Sequence, residues 1–410
     1  MPMYFMKNHV KPQRIPTLNN AQLPELWRKF RRDRLALTGF WGAVCLFIPA
    51  LYAPFLANGR PFLCWGGGGN VGGGGGGISS PFLRYLFAPD TTETAVEMLF
   101  NYAAIFLPCA LLLGWLLRQK KRLRRWFLAG IAVALIVPFC TVSPRLDRND
   151  YRALVQNQGK SALFAPIPYG PNEIVAPPCQ SPDRKHWCGT DTVGRDVAAR
   201  MIYGARVSLA VGIFSTLAAL FIGTCVGLAA GFFRGWFDLS VMRLVEVLLC
   251  FPTFLLLLIL MSILGDCRFE QSILIVIGVL SLTGWIGLAF LVRGETLKQR
   301  SLPYVESCIV SGIPTPRILF RHLLPNIAGP ILISFTFGVA GAILAESGLS
   351  FLGFGVRQPT ASWGGLLRQA FDNPLDYWHL TLFPGLALFW AVLSFNFMGE
   401  GLRRMLSPRE

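Results

Sequence analysis

The sequence predicts an all-α integral membrane protein, a polytopic bundle of about eight transmembrane helices. Three observations predict it. Of its 410 residues, 53% are hydrophobic and 15% charged, and mean hydropathy is +0.49, whereas a soluble globular chain carries roughly 25% charged residues. Several apolar runs reach the about 20 residues that a helix rising 1.5 Å per residue needs to cross the hydrocarbon core. Basic residues gather just before or between those runs, as in 28–34 and 118–125, which is how cytoplasmic loops look under the positive-inside bias.

The expected spans are 35–57, 100–117, 126–143, 206–232, 241–264, 272–293, 328–347 and 380–400. Starting inside, the basic segments 28–34, 118–125, Arg234, 293–321 and 403–409 all fall on the cytoplasmic side, and an even number of crossings returns the C-terminus there. The first long apolar run begins near Leu35, behind a basic segment, and is long enough to span, so the N-terminus stays attached and cytoplasmic. The second and third spans stand or fall together, because the loop 118–125 between them holds no acid. The chain then divides into a cytoplasmic segment 1–34, a first helix 35–57, an insertion 58–189 and a core 190–410 with a cytoplasmic loop 294–326.

Two long segments fall outside the membrane. Residues 58–99 contain the glycine runs 66–69 and 72–77, a low-complexity stretch expected to be a mobile loop. No Gly-Lys-Ser/Thr follows to open a helix, so it is not a Walker A loop. Residues 144–205 are polar and rich in proline and glycine. They carry Cys179, His186 and Cys188, which leave three readings open: a disulfide between the two cysteines if the loop is exoplasmic, two free thiols, or a metal site. Most other cysteines, including Cys45, Cys109, Cys140, Cys225 and Cys250, lie in apolar runs where a thiol behaves as a small hydrophobe.

The formal net charge of +16 raises nucleic-acid binding as an alternative, but the basic residues track membrane boundaries. The most informative stretch is 304–326, read as a short helix, a break and a second helix. Glu306, Ser307 and Cys308 begin with an acid and small residues, and Gly312 and Pro314 interrupt. Residues 317–324, with Arg317 and Arg321, are amphipathic, and Pro325 is expected to stop the helix before the next span. A helical pair held between two spans can pass force from a soluble partner to a pore.

This stretch resembles the EAA loop of ABC importer permeases, with Glu306, Gly312, Leu324 and Pro325 in register. Ser307 and Cys308 stand where the family has alanines, and His322 where an aliphatic residue is usual. The resemblance extends to the C-type inner-membrane subunit of the dipeptide and oligopeptide (peptide/nickel) importers. It is carried by the entry to the first span at 30–37 and by Gly189, Thr190, Asp191, Gly194, Arg195 and Asp196 with Arg200, Tyr203 and Arg206. Ser350, Phe351, Gly353, Gln358, Pro359, Trp363, Pro384 and Asn396 continue it. It covers 190–410 almost continuously; the insertion with its two extra spans departs from the six-helix family core.

The resemblance implies a type I ABC importer permease, a pore subunit that is not itself an enzyme. Two cytoplasmic ATPase subunits holding ATP and Mg would grip the loop containing Tyr304, Glu306 and Gly312. A second homologous permease would complete the pore, and an extracytoplasmic binding protein would deliver a peptide. The setting would be a bacterial inner membrane, with both termini cytoplasmic. Nickel or another small solute is the alternative cargo, and an ion-coupled secondary transporter the alternative class. The chain lacks Walker A, His-Glu-x-x-His and Gly-x-Ser-x-Gly sequences and paired acids in mid-membrane.

The Gly-Thr-Asp and Gly-Arg-Asp pairs at 189–196 fit a turn with acid and arginine caps better than a solute site. Arg243 and Glu246, three apart on one helix face, are expected to pair with each other. Pro252 is expected to kink the span that holds it.

Overall fold

Asp33 sets where the first membrane helix begins: its carboxylate accepts the amides of Leu35 at 2.9 Å and Ala36 at 3.3 Å, satisfying two donors that a helix start leaves open. From it runs α1 (Arg34–Leu51), followed by the short α2 (Ala53–Leu56). The computed structural model describes residues 28, 30–65, 80–87, 93–116, 151–157, 161–265 and 272–406.

The expected insertion contributes β1 (Leu63–Trp65), α3 (Pro81–Phe87), α4 (Thr94–Leu116), α5 (Tyr151–Asn157) and β2 (Ser161–Leu163). The core then follows as α6 (Val197–Phe233), α7 (Gly235–Leu249), α8 (Thr253–Gly265), α9 (Ser272–Arg300) and α10 (Pro303–Val310). It ends with α11 (Thr315–Leu352), α12 (Trp363–Gln369) and α13 (Trp378–Leu406). Among the described residues five helices, α1, α6, α9, α11 and α13, are long and apolar enough to cross a membrane, and six spans result if α7 and α8 count as one.

The expected span 241–264 is not one helix. It is broken into α7 and α8, bent by 89°, because Pro252 lacks the N–H a continuous helix needs and its ring clashes one turn back. The kink expected there is thus a full break. The expected span 206–232 starts at Val197 instead: Asp196 accepts the Ala199 amide at 2.8 Å and nucleates the helix earlier. At 37 residues, α6 is about 55 Å long and overshoots a hydrocarbon core of about 30 Å.

Pro325 does not stop its helix either. Residues Ile318–Leu323 wind as π-helix, and the widened turns absorb the missing proline N–H, so one helix runs from Thr315 to Leu352. The expected span 100–117 overlaps α4, which begins at Thr94 but is not among the described helices long and apolar enough to cross a membrane; the expected span 126–143 lies outside the described residues. So do the glycine runs 66–69 and 72–77, but the described parts of 58–99 are folded. β1 pairs antiparallel with β2, Cys64 opposite Ala162, and the Phe82 ring packs 4.9 Å from Phe55 and 4.7 Å from Phe62.

The core is built on contact between α6 and α9. Gly223, Gly227 and Gly231 recur every four residues on one face of α6, and a Cβ there would lie 2.8 Å from the Trp285 carbonyl, 2.6 Å from the Ala289 carbonyl and 2.9 Å from the Arg293 carbonyl. The two backbones touch along this seam, as small residues allow between membrane helices. α1 approaches α13 in the same way, a Cβ at Gly39 falling 2.6 Å from the Met398 amide. Gly227→Leu should push α6 off α9, because the obstructing atoms are backbone; overpacking of this kind costs about 1–3 kcal/mol or more. Thermal unfolding of the purified protein should show a lowered midpoint, with Gly278→Ala, whose Cβ would meet nothing, as the unaffected control.

Candidate functional site

Pro303 opens α10 in its first turn, where a missing N–H is harmless. The helix ends in a Schellman motif: the Gly312 amide donates to the Ile309 carbonyl at 3.0 Å and the Ile313 amide to the Cys308 carbonyl at 3.1 Å. Gly312 holds φ +70°, and a Cβ on it would meet no atom of this chain. Its glycine is required here by the left-handed backbone, in which side chains are strained.

The inward face of the helix pair is a second core. Val305, Ile318, Leu323, Ile327 and Ile331 pack on Leu228 and Phe232 of α6 and Val292 of α9, with Tyr304, Cys308, Ile313, Leu319 and Leu324 closing the edges. The Tyr304 hydroxyl donates to Gln299 Oε1 at 2.9 Å and accepts from Asn326 Nδ2 at 3.1 Å, and burial raises its pKa above the usual phenol value. Arg300 donates to the Phe232 carbonyl and lies 5.1 Å from that residue's ring. These bonds fasten α10 and the start of α11 to the ends of α6 and α9.

The outward face is different in kind. Glu306, Ser307, Gly312, Arg317 and Arg321 are exposed, and between them stand Val310, 87% exposed, and Phe320, 59% exposed. Cys308, Leu324 and Pro325 are half-buried and belong to the anchoring side. The outward face thus sets an apolar pair among charged and polar side chains on a rigidly seated helix elbow.

The segment 189–196 folds at the other end of α6. Asp191, fully buried, accepts the amides of Val193 and Arg195 at 3.0 and 2.9 Å and Arg195 Nε at 2.7 Å, with Arg200 Nε 3.4 Å away. Thr190 donates to the Pro177 carbonyl at 2.7 Å, and Asp196 faces His186 Nδ1 at 2.8 Å. Gly189 and Gly194 take φ of 76° and 91°. Arg195 and Arg200 both reach the Gln358 side chain, at 3.2 and 3.4 Å, so this turn is tied to the loop that follows α11.

Cys179 and Cys188 are both free thiols; burial pushes Cys188 up to about 11 and also raises Cys179. Among the described residues no group of three or more His, Cys, Asp and Glu side chains is placed to hold a metal. Arg243 and Glu246 pair at 2.7 Å on the exposed face of α7.

Three buried polar centres escaped sequence reasoning. Glu346 lies inside α11 and accepts Ser350 at 2.8 Å, Ser208 at 3.1 Å and Ser347 at 3.3 Å; an acid inside an apolar run was the signal. Arg206 Nη1 meets Glu97 at 2.5 Å and Asn101 at 2.8 Å. Glu93 accepts the Ser272 amide at 2.6 Å and hydroxyl at 2.5 Å, and burial raises its pKa against those bonds. Neither of the last two is visible without the folded insertion, since the partners are more than a hundred residues apart.

Spanning helices around a seam, with a helical elbow seated at one end, describe a polytopic membrane protein. Comparison with known proteins makes the class specific. Residues 223–410 match the family described as binding-protein-dependent transport system inner membrane component, and residues 22–62 match the N-terminal TM domain of oligopeptide transport permease C. The chain is 39% identical over 230 residues to the glutathione transport system permease protein GsiD of Pectobacterium atrosepticum, covering 56% of this chain and 75% of that one. It is 36% identical over 251 residues to the dipeptide transport system permease protein DppC of Alkalihalophilus pseudofirmus, covering 60% and 81%. The chain belongs to this family of ABC importer permeases, in its peptide-type C branch.

Alkylation of denatured protein without reductant should modify both Cys179 and Cys188. In the folded protein near pH 8, Cys188 should react far more slowly than an ordinary thiol, because so little of it is thiolate. Mass spectrometry of the two peptides reads both outcomes, and a peptide pair that appears only after reduction would contradict the free-thiol state.

Proposed function

We propose that this chain forms half of a peptide-importing pore and receives its motion through residues 304–326 from separate ATPase subunits. The observation that carries the reading is the two-faced elbow: one face locked onto α6 and α9 by Val305, Ile318 and Leu323, the other presenting Val310, Phe320, Arg317 and Arg321 outward. Interface cores favour apolar anchors within a polar rim, and this face has that composition.

Under this proposal two cytoplasmic ATPases bind ATP and Mg and close on the elbow, a second homologous permease completes the pore, and an extracytoplasmic protein delivers the solute. Hydrolysis occurs on those partners, and this chain carries no catalytic residue. The membrane is the bacterial inner membrane, with both termini and the elbow on the cytoplasmic side, as the distribution of Lys and Arg supports. Glutathione and dipeptides, the solutes named for the relatives, are both short peptides. A short peptide is therefore the proposed cargo.

Gly312→Asp should abolish transport while the chain still inserts. A Cβ at Gly312 would touch nothing in this chain, but the left-handed backbone strains any side chain; Gly312→Asn, which carries the same backbone cost without the charge, is the control that separates a loss at the partner's surface from one in the fold. Uptake of labelled dipeptides into vesicles holding the assembled complex measures it, and unchanged uptake in the variant would sink the coupling assignment. Val310→Asp should likewise reduce recovery of ATPase subunits with the tagged chain by well over tenfold, the effect of about 1.4 kcal/mol or more at an interface anchor. Peptide uptake by this chain alone under an ion gradient would favour a secondary transporter instead.

A further inference from the structure

At the start of α4 the expected insertion is bound to the core by buried acids. Glu93, just before α4, and Glu97 in its first turn lie one turn apart, and each reaches a different core helix. Glu93 accepts the Ser272 amide and hydroxyl and the Ile273 amide, the last at 3.3 Å, so it caps the N-terminus of α9 from 179 residues away. Glu97 pairs with Arg206 of α6 at 2.5 Å, where Asn101 also accepts. Arg206 is fully buried, and its other donors go to the last carbonyls of α1, Ala50 at 2.6 Å and Leu51 at 3.0 Å. The Phe100 and Tyr203 rings flank its guanidinium at 5.4 Å each, and Tyr85 of α3 meets the Tyr203 hydroxyl at 3.3 Å.

Two buried acids with fixed partners cannot be released cheaply. Breaking one such pair leaves an uncompensated buried charge, and an uncapped N-terminus of α9 would expose its orphan amides. The helices so joined are those already in backbone contact along the Gly223, Gly227 and Gly231 seam. Their other ends carry the elbow at 303–326.

We infer that the acidic first turn of α4 clamps the insertion to the outer ends of α6 and α9, so that insertion, helix pair and elbow move through the transport cycle as one rigid body. The insertion is then an output arm: displacement imposed at Val310 and Phe320 reappears at α3 and the β1–β2 ribbon. Glu93 and Glu97 are positioning residues and touch no solute.

The test is a spin-label distance between Leu83→Cys on α3 and Lys298→Cys at the far end of α9, both exposed, with the native cysteines replaced. It is measured in the full complex in lipid nanodiscs, without nucleotide and with trapped ATP. One narrow peak at the same distance in both states is expected, and a shifted peak on ATP would overturn the rigid body. Glu93→Gln with Glu97→Gln should broaden or split that peak in the nucleotide-free complex; an unchanged narrow peak would show that the acids do not form the clamp. The nucleotide arm rests on the ATPase reading. A second pair, from Lys298→Cys to the other permease subunit, separates the two: no movement there on ATP counts against the ATPase coupling, while the Gln variants still decide the clamp. If the double variant fails to assemble, Glu97→Asp, which shortens the reach but keeps the charge, should broaden the peak to a lesser degree, and a peak identical to the parent's would overturn the clamp.

Discussion

Everything distinctive in this molecule depends on the backbone contact between α6 and α9. Three glycines at four-residue spacing remove the side chains that would hold two membrane helices apart, and lipid supplies no hydrophobic force to bring them together otherwise. Dispersion contacts, each small, therefore accumulate along the length of the seam. A pair held this way behaves as a strut: it can tilt but not shear without losing the contacts that define it.

The polar groups make sense as fittings on that strut. At one end Tyr304, Asn326 and Arg300 seat the elbow on Gln299 and the Phe232 carbonyl. At the other, Asp191 and Asp196 fix the start of α6, and Arg195 and Arg200 fasten the turn to Gln358. Glu346 sits between them, engaging Ser208 of α6 from within α11. Buried acids and arginines in a membrane protein invite a transport-pathway reading. Here Glu346 bonds Ser208 of α6 as well as Ser347 and Ser350 of its own helix, and Asp191 and Asp196 bond mainly within the turn they shape, so these groups fix position first.

Sequence reasoning reached the class of fold, because span length and apolar runs are set by bilayer thickness, and it reached the elbow, because Glu306, Gly312 and Pro325 follow a fixed order. It went wrong where local chemistry competes. Asp196 was read as part of a turn but also starts a helix nine residues before the apolar run. Pro325 was read as a stop, but π-helical turns at Ile318–Leu323 let the chain continue. Pro252 was read as a kink and is a break. The pairing of Glu97 with Arg206 and of Glu93 with Ser272 was illegible, since nothing in sequence links residues separated by 109 and 179 positions. Gly312 was legible for an incomplete reason: a close partner explains a small residue, yet the Schellman geometry by itself requires one.

The break at Pro252 bears on how such a strut could do work. α7 leaves the end of α6 at Arg234 and Gly235, both at positive φ, and turns 89° into α8. Val245 and Met242 of α7 pack on Trp285 and Ile286 of α9, and Leu257 and Met261 of α8 on the main core. Phe251 at the corner is half exposed. The corner therefore joins two bodies, one packed on the seam near the elbow and the other on the interior of the bundle. A close-packed interior passes displacement on rather than absorbing it. With the seam stiff, the proline corner is one place in the described core where rotation would break few helix hydrogen bonds, since Pro252 has no N–H to donate. Under the coupling proposed above, tilting of the strut would be taken up there.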